Sequence, residues 1–268
     1  MDQGKCRNCG QLIQGKYCSS CGEKILEKRD FSMPSLLSEA IGSITNLDSK
    51  IISSLRNLFF RPGQMSRDII DGKRVRYVKP FQLFLIANIL YFILLPDMDL
   101  FRAPARWHFF QGKVSEIRDT KLNEKKEKQQ ITLPEAMLKY DNHSSNLAKS
   151  LLILIIPLMS IYGWLVSIKL SYSIGQIFIY SLHTFTFLLL LIPMVGYSLV
   201  VLGVMQSQTT FLIPILSLSL LYITISYKKF FQASWVRSII SSSIFLCLTF
   251  FTFFAYRSFI SQLALETL

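Results

Sequence analysis

Two cysteine pairs stand near the start of this chain. Cys6 and Cys9 are spaced CxxC, as are Cys18 and Cys21, and Gly10 and Gly22 follow the two pairs. Each CxxCG stretch can close a tight knuckle that turns backbone N–H groups toward a sulfur. The glycine permits the left-handed backbone such a turn needs. Two knuckles together offer four thiolates, a tetrahedral donor set that Zn2+ accepts. Eight residues separate the pairs, fewer than in the usual ribbon loop. The module is therefore a minimal hairpin with no core of its own, and metal binding would supply its folding free energy. Two disulfides, free thiols or an iron–sulfur cluster are the alternatives. A cytoplasmic location disfavours disulfides, and no spacing signature supports a cluster. A closed four-thiolate site leaves no open coordination position, so its role is structural. Lys5, Arg7, Lys16 and Lys24 surround it. With Tyr17 as almost the only aromatic, that is a weak signal for nucleic acid.

A second group of chemistry-bearing residues lies in apolar runs. His183 is the only intramembrane histidine expected, and Asn88, Gln176 and Thr184 are polar neighbours by type. An ionisable residue inside a span raises a functional hypothesis. The simpler reading is a neutral His hydrogen-bonded to a Ser, a Thr or a carbonyl between helices, because no Asp or Glu falls in an expected span. The same absence argues against proton-coupled transport. Asn88 reads as an interhelical hydrogen bond. The third group is cationic: Arg61, Arg67, Lys73, Arg74, Arg76 and Lys79 precede the first apolar run. Juxtamembrane cations attract anionic head groups at about 1 kcal/mol each, and they also anchor topology. Pro62-Gly63 and Asp71-Gly72 are turn signals that would aim these side chains, which anchoring alone does not require. Cys247, in an apolar run, reads as a small buried hydrophobe. No catalytic serine motif, HExxH, P-loop or dinucleotide fingerprint is present.

The elements that position these residues follow from composition. The 268 residues are 51 % hydrophobic and 17 % charged, with net charge +12 and mean hydropathy +0.37. Residues 1–149 hold 24 of the 29 Lys and Arg, and beyond them Glu266 is the single acid. A polar front and a lipid-embedded rear explain that split. The expected class is a mainly α membrane protein. Residues 1–30 are the zinc-ribbon-like module. Residues 31–77 are a membrane-proximal stretch with amphipathic helix over 31–60 (Leu36, Leu37, Ile41, Ile44, then Ile51, Ile52, Leu55, Leu58) and Ser32 as its N-cap. About five spans follow, near 78–95, 148–168, 175–201, 211–226 and 236–256, with four or six as alternatives. Residues 96–147 form a polar external loop with the charged run KLNEKKEKQQ. The 175–201 run contains Pro193 and Gly196, which predicts tilt or a kink. No apolar signal-peptide region is visible. Loop charge places the N-terminus in the cytoplasm, with Lys169, Lys228, Lys229 and Arg237 on the same side. Tyr162, Trp164, Tyr172, Tyr227 and Trp235 fall near the interfaces.

CRNCG…GKYCSSCGEK, followed by LDSKIISSLRNLFFRPGQMSRDIIDGKRVRYVKPFQLFLIANILYF, resembles a bacterial membrane family, domain of unknown function 3667. The likeness spans residues 6–95. Arg61-Pro62-Gly63, Gly72-Lys73-Arg74, Arg76-Tyr77 and Lys79-Pro80-Phe81 carry most of it. The resemblance implies the topology and the zinc module, and no reaction. Relatives often carry a Glu-His pair seven residues before a second His. The second His aligns with His183, and Gly175-Gln176 occupies the pair, so this chain lacks most of that cluster.

Three functions fit. The first is a membrane-anchored interaction or scaffold protein whose zinc module docks a cytoplasmic partner. A transporter or channel is the second, and a lipid-handling enzyme the third. Anionic lipid is favoured over nucleic acid as the partner of the positive charge. Nothing in the sequence sets an oligomeric state.

Overall fold

The computed structural model describes residues 5–12, 15–23, 50–95, 100–105, 132–204 and 208–267. The expectations placed on Ser32, Leu36, Leu37, Ile41 and Ile44 and on KLNEKKEKQQ lie outside the described residues. The described part is helical, apart from the Cys hairpin: α1 Ile51–Phe60, α2 Gln64–Ile70, α3 Pro80–Leu94, α4 Leu133–Leu151, α5 Ile155–Ser167, α6 Ile174–Val201, α7 Gln208–Phe231 and α8 Trp235–Thr267. A 3-10 turn, Leu152–Leu154, joins α4 to α5, and another, Ile168–Leu170, follows α5.

Four helical stretches among the described residues are long and apolar enough to cross a bilayer: Leu133–Ser167, Ile174–Val201, Thr210–Phe231 and Trp235–Thr267. The chain is thus a multi-pass integral membrane protein. α3 forms where the first span was expected, but its 15 residues reach about 22 Å at 1.5 Å per residue. A hydrocarbon core is about 30 Å thick. α6 runs unbroken through Pro193.

The chain divides into two compact units. One takes Met1–Leu94 and Met159–Cys247, the other Leu95–Leu158 and Leu248–Leu268. In the first, α3 packs along α6, with Phe84 against Phe185, and Leu83, Phe84, Ala87 and Tyr91 are buried. α6 and α7 run antiparallel: Phe187 stacks on Tyr222 at 3.4 Å, and Tyr180 meets Phe230 at 4.9 Å. Gly163 of α5 lies under Ile177 and Phe245, where a Cβ would come within 3.1–3.2 Å of both. α2 and α1 pack on this core.

In the second unit, residues 133–147, expected within the polar external loop 96–147, are helical and belong to α4. Thr132 is the N-cap. Glu135 reaches back to accept its backbone N–H at 2.9 Å and its hydroxyl at 2.9 Å, and Pro134 takes the first turn, where no N–H is needed. Tyr140 packs with Ala105, Ala136, Ala264 and Leu265. Asp141 accepts from Arg102 at 2.7 Å and from the Ala105 amide at 2.9 Å. Glu135→Ala should fray the first turn of α4, and faster amide exchange near residue 135 is the measurement.

Cys247 is exposed on α8, contrary to the expectation of burial. The exposed face of an apolar spanning helix is solvated by lipid, where a small thiol incurs no penalty.

Candidate metal centre and its seat

The hairpin is built from two near-identical turns. The Gly10 amide donates to the Cys6 carbonyl and the Gly22 amide to the Cys18 carbonyl, both at 2.8 Å. Gly10 and Gly22 sit at φ 81° and 73°, the region where a side chain is strained. The Cys6 amide bonds the Gln11 carbonyl and the Cys18 amide bonds the Glu23 carbonyl. A bridge from Lys5 to Leu12 closes the first turn. The four sulfurs all lie within 4.8 Å of one another. Cys6 to Cys21 and Cys9 to Cys18 are each 3.6 Å. A tetrahedron with metal–sulfur bonds of about 2.3 Å has edges of about 3.8 Å, so the set can hold one ion of that size. The amides of Cys21 and then Ser20 hold the Cys18 thiol below its ordinary value. The Gln11 amide favours the Cys9 thiolate, but desolvation and hydrogen bonds to Cys21, Cys18 and Cys6 outweigh it and push that thiol up to about 12. Four thiolates this close repel unless a cation lies among them.

Glu23 joins this hairpin to the rest of the first unit. Its side chain is buried, and one carboxylate oxygen accepts the amides of Arg74 and Val75 at 3.0 and 3.1 Å. Through its carbonyl, the same residue closes the second knuckle. One residue therefore touches both the metal turn and the Gly72–Val75 turn.

That turn is held in place by Asp68 of α2. The Asp68 carboxylate is buried. It accepts from Gln64 at 2.6 Å, from Tyr77 at 2.6 Å and from Arg76, and its carbonyl accepts the Lys73 amide at 2.8 Å. Burial first, then the Asp68 carboxylate, push the Tyr77 phenol up to about 12. Burial opposes the Arg76 charge, and the Asp68 carboxylate more than offsets it. Asp68→Ala should cost about 1–3 kcal/mol, chiefly by leaving the Tyr77 hydroxyl buried without its acceptor. The ion pair adds little, since the Arg76 side chain is 51 % exposed. Thermal unfolding in nanodiscs should show that loss, with partial recovery in Asp68→Ala/Tyr77→Phe. A raised phenol stabilises below its unfolded value near 10 and loses that contribution as pH rises toward 12, so the native chain should weaken more across that window than Asp68→Ala/Tyr77→Phe, which lacks the phenol.

The other predicted residues separate into engaged and exposed sets. Arg67 donates to Asp71 at 2.9 Å, to the Tyr172 hydroxyl at 2.8 Å and to the Phe230 carbonyl at 3.3 Å. Arg74 donates to the Ile69 carbonyl at 3.4 Å. Arg61, Lys73, Arg76 and Lys79 are exposed. His183 is buried with its Nδ1 2.7 Å from the Ser66 hydroxyl. Gln176 is not gathered with it. Its side-chain oxygen accepts the Ser173 amide at 3.0 Å and the Ser173 hydroxyl accepts its amide, a capping box that starts α6. Asn88 lies on α3, half-buried.

Gly63 decides how deeply α2 sits. It adopts φ 74° and is buried against α7, where a Cβ would press on the Ser226 carbonyl oxygen and lie 2.9 Å from its Cα. Glu23, Ser66 and Asp68 escape a reading of the sequence alone, because each acts on residues far away in the chain or in a different turn. Gly63, by contrast, is flagged by its turn dipeptide.

Neither a curated protein nor a solved structure matches the chain. A family model matches residues 48–92, from the approach to α1 through Gly63, Asp68 and the Gly72 turn into α3. The elbow of α1 and α2, its turn and most of α3 are thus the part of this chain that is similar to DUF3667, a family described as protein of unknown function.

Proposed function

We infer that this protein is a membrane-anchored docking protein whose hairpin carries structural Zn2+ and offers a cytoplasmic partner a rigid basic surface. Supporting this is the double contact of Glu23, which ties the thiolate cluster to the turn of the DUF3667 segment. Four thiolates with edges near those of a Zn–S tetrahedron suit zinc and leave it no open position for a substrate. Leu12 and Tyr17 are exposed beside Lys5, Arg7 and Lys16, a surface that favours an acidic segment with an apolar anchor. The density of Lys and Arg in residues 50–79 supports a cytoplasmic N-terminus.

The test is a photo-crosslinking residue at Tyr17 in the full chain in its native membrane. A discrete protein adduct is expected. It should vanish in Cys6→Ser/Cys9→Ser and weaken in Glu23→Ala, with protein levels equal. Adducts that persist unchanged when the thiolates are gone would sink the docking reading. An impermeant label that reaches the module from outside intact cells would sink the orientation.

A further inference from the structure

We propose that the outer face of α1 is a lipid-binding surface that seats itself in the membrane–water boundary and selects anionic phospholipid through Arg56 and Arg61. Residues 52, 56 and 60 are spaced by four, so Ile52, Arg56 and Phe60 share one helical face. Ile52 is 79 % and Phe60 81 % exposed, while the opposite side buries Ser54 and Leu58. Arg56 and Arg61 are exposed beside them. From Lys50 to Arg67 the chain has no acidic residue.

The depth of this face follows from its contacts. Phe59 packs on Phe187 at 5.3 Å, and Phe187 stacks on Tyr222. Tyr222 lies six residues before Lys228 on α7, about 9 Å along the helix. Lys228, Lys229, Trp235 and Arg237 gather around the end of α7 and the start of α8, with Lys228 over the Trp235 ring at 4.5 Å. Cations and aromatics at the ends of spanning helices mark the head-group layer. The contact of α1 is therefore about 9 Å to the apolar side of that layer, within the depth of about 5–10 Å at which interfacial helices bury their apolar faces. From there α2 climbs back: Gly63 at Ser226, then Arg67 at the Phe230 carbonyl. At that depth Phe60, next to Phe59, meets acyl chain instead of water. The long arginine side chains reach back to the phosphates. A protein partner is disfavoured because the face lies below the cationic layer, and a zwitterionic lipid leaves the two guanidinium charges uncompensated.

The test uses the full chain with Trp107, Trp164 and Trp235 changed to Phe and a single reporter, Phe60→Trp, in vesicles of phosphatidylcholine and phosphatidylglycerol. Bromine on shallow acyl carbons should quench its blue-shifted emission, more when carried by phosphatidylglycerol. That preference should fall about fivefold for each arginine in Arg56→Gln and Arg61→Gln, the equivalent of about 1 kcal/mol per charge. Phe251→Trp, at a site 75 % exposed on α8, reports insertion of the folded chain and should be quenched alike by both lipids. If Phe251→Trp is quenched and Phe60→Trp is not, the face is outside the lipid and the proposal falls. It falls equally if the two brominated lipids quench Phe60→Trp to the same extent, or if a second copy crosslinks there and shields it.

Discussion

Gly63→Ala is expected to destabilise the first unit by roughly 2–5 kcal/mol. Two independent causes add. The residue sits at φ 74°, and left-handed backbone costs a residue with a Cβ about 1–2 kcal/mol. The Cβ would also press on the Ser226 backbone, whose Cα would be 2.9 Å away. Relieving such overpacking typically costs about 1–3 kcal/mol. Ser226 cannot give way cheaply, because it lies within α7 between Tyr222 and Phe230, which are packed on α6. The elbow would have to lift away instead. That movement would disturb the Ser66–His183 hydrogen bond and the contacts of Arg67. Gly203→Ala separates the two causes. Gly203 has φ 67° and nothing within 4 Å of a Cβ, so it suffers the backbone strain alone. Thermal unfolding in nanodiscs should show a much larger loss for Gly63→Ala than for Gly203→Ala. Equal losses would mean that the close approach to α7 contributes nothing.

The second large effect is expected at the hairpin. Cys18→Ser, or removal of metal by a strong chelator, should take bound zinc from one equivalent to none and unfold residues 5–23. Apparent binding free energies for structural zinc are about 10–16 kcal/mol near neutral pH, far more than a short hairpin gains from its own contacts. The consequence should extend past the hairpin. The Cys18 amide bonds the Glu23 carbonyl, and the Glu23 carboxylate holds the Arg74 and Val75 amides. Loss of the metal turn should release that carboxylate, and exchange at these two amides should rise. Elemental analysis and hydrogen exchange on the same samples check both halves. Slow exchange at residues 74 and 75 in metal-free protein would show that Glu23 holds its place without the knuckle. Acidification should act in the same direction as chelation, since each ligand must lose a proton to bind.

These two sites also show where local information ends. The four-cysteine hairpin is legible in the sequence because its geometry is local. Two CxxCG stretches fold their own turns, and the glycines are where the positive φ angles occur. The long helices are legible because apolar runs of about 20 residues have few other solutions in a bilayer. The extent of α4 was equally available. Thr132-Leu-Pro-Glu135 is a capping box with an early proline, and the polar composition that follows obscures it. The shortness of α3 comes from Pro80 at its start and Pro96 just beyond its end.

Sequence alone therefore determined the helical membrane class, the cluster of four cysteines and the turns at Gly63 and Gly72. Tertiary structure decided which cations are engaged and which are exposed, that Ser66 faces His183, that Gln176 caps a helix, and that Glu23 couples the hairpin to a turn some fifty residues away. The reason is physical. A turn or an apolar run is specified by the energies of neighbouring residues, whereas a buried polar group is satisfied by whichever donor or acceptor packing brings within about 3 Å, and that donor or acceptor can come from anywhere in the chain.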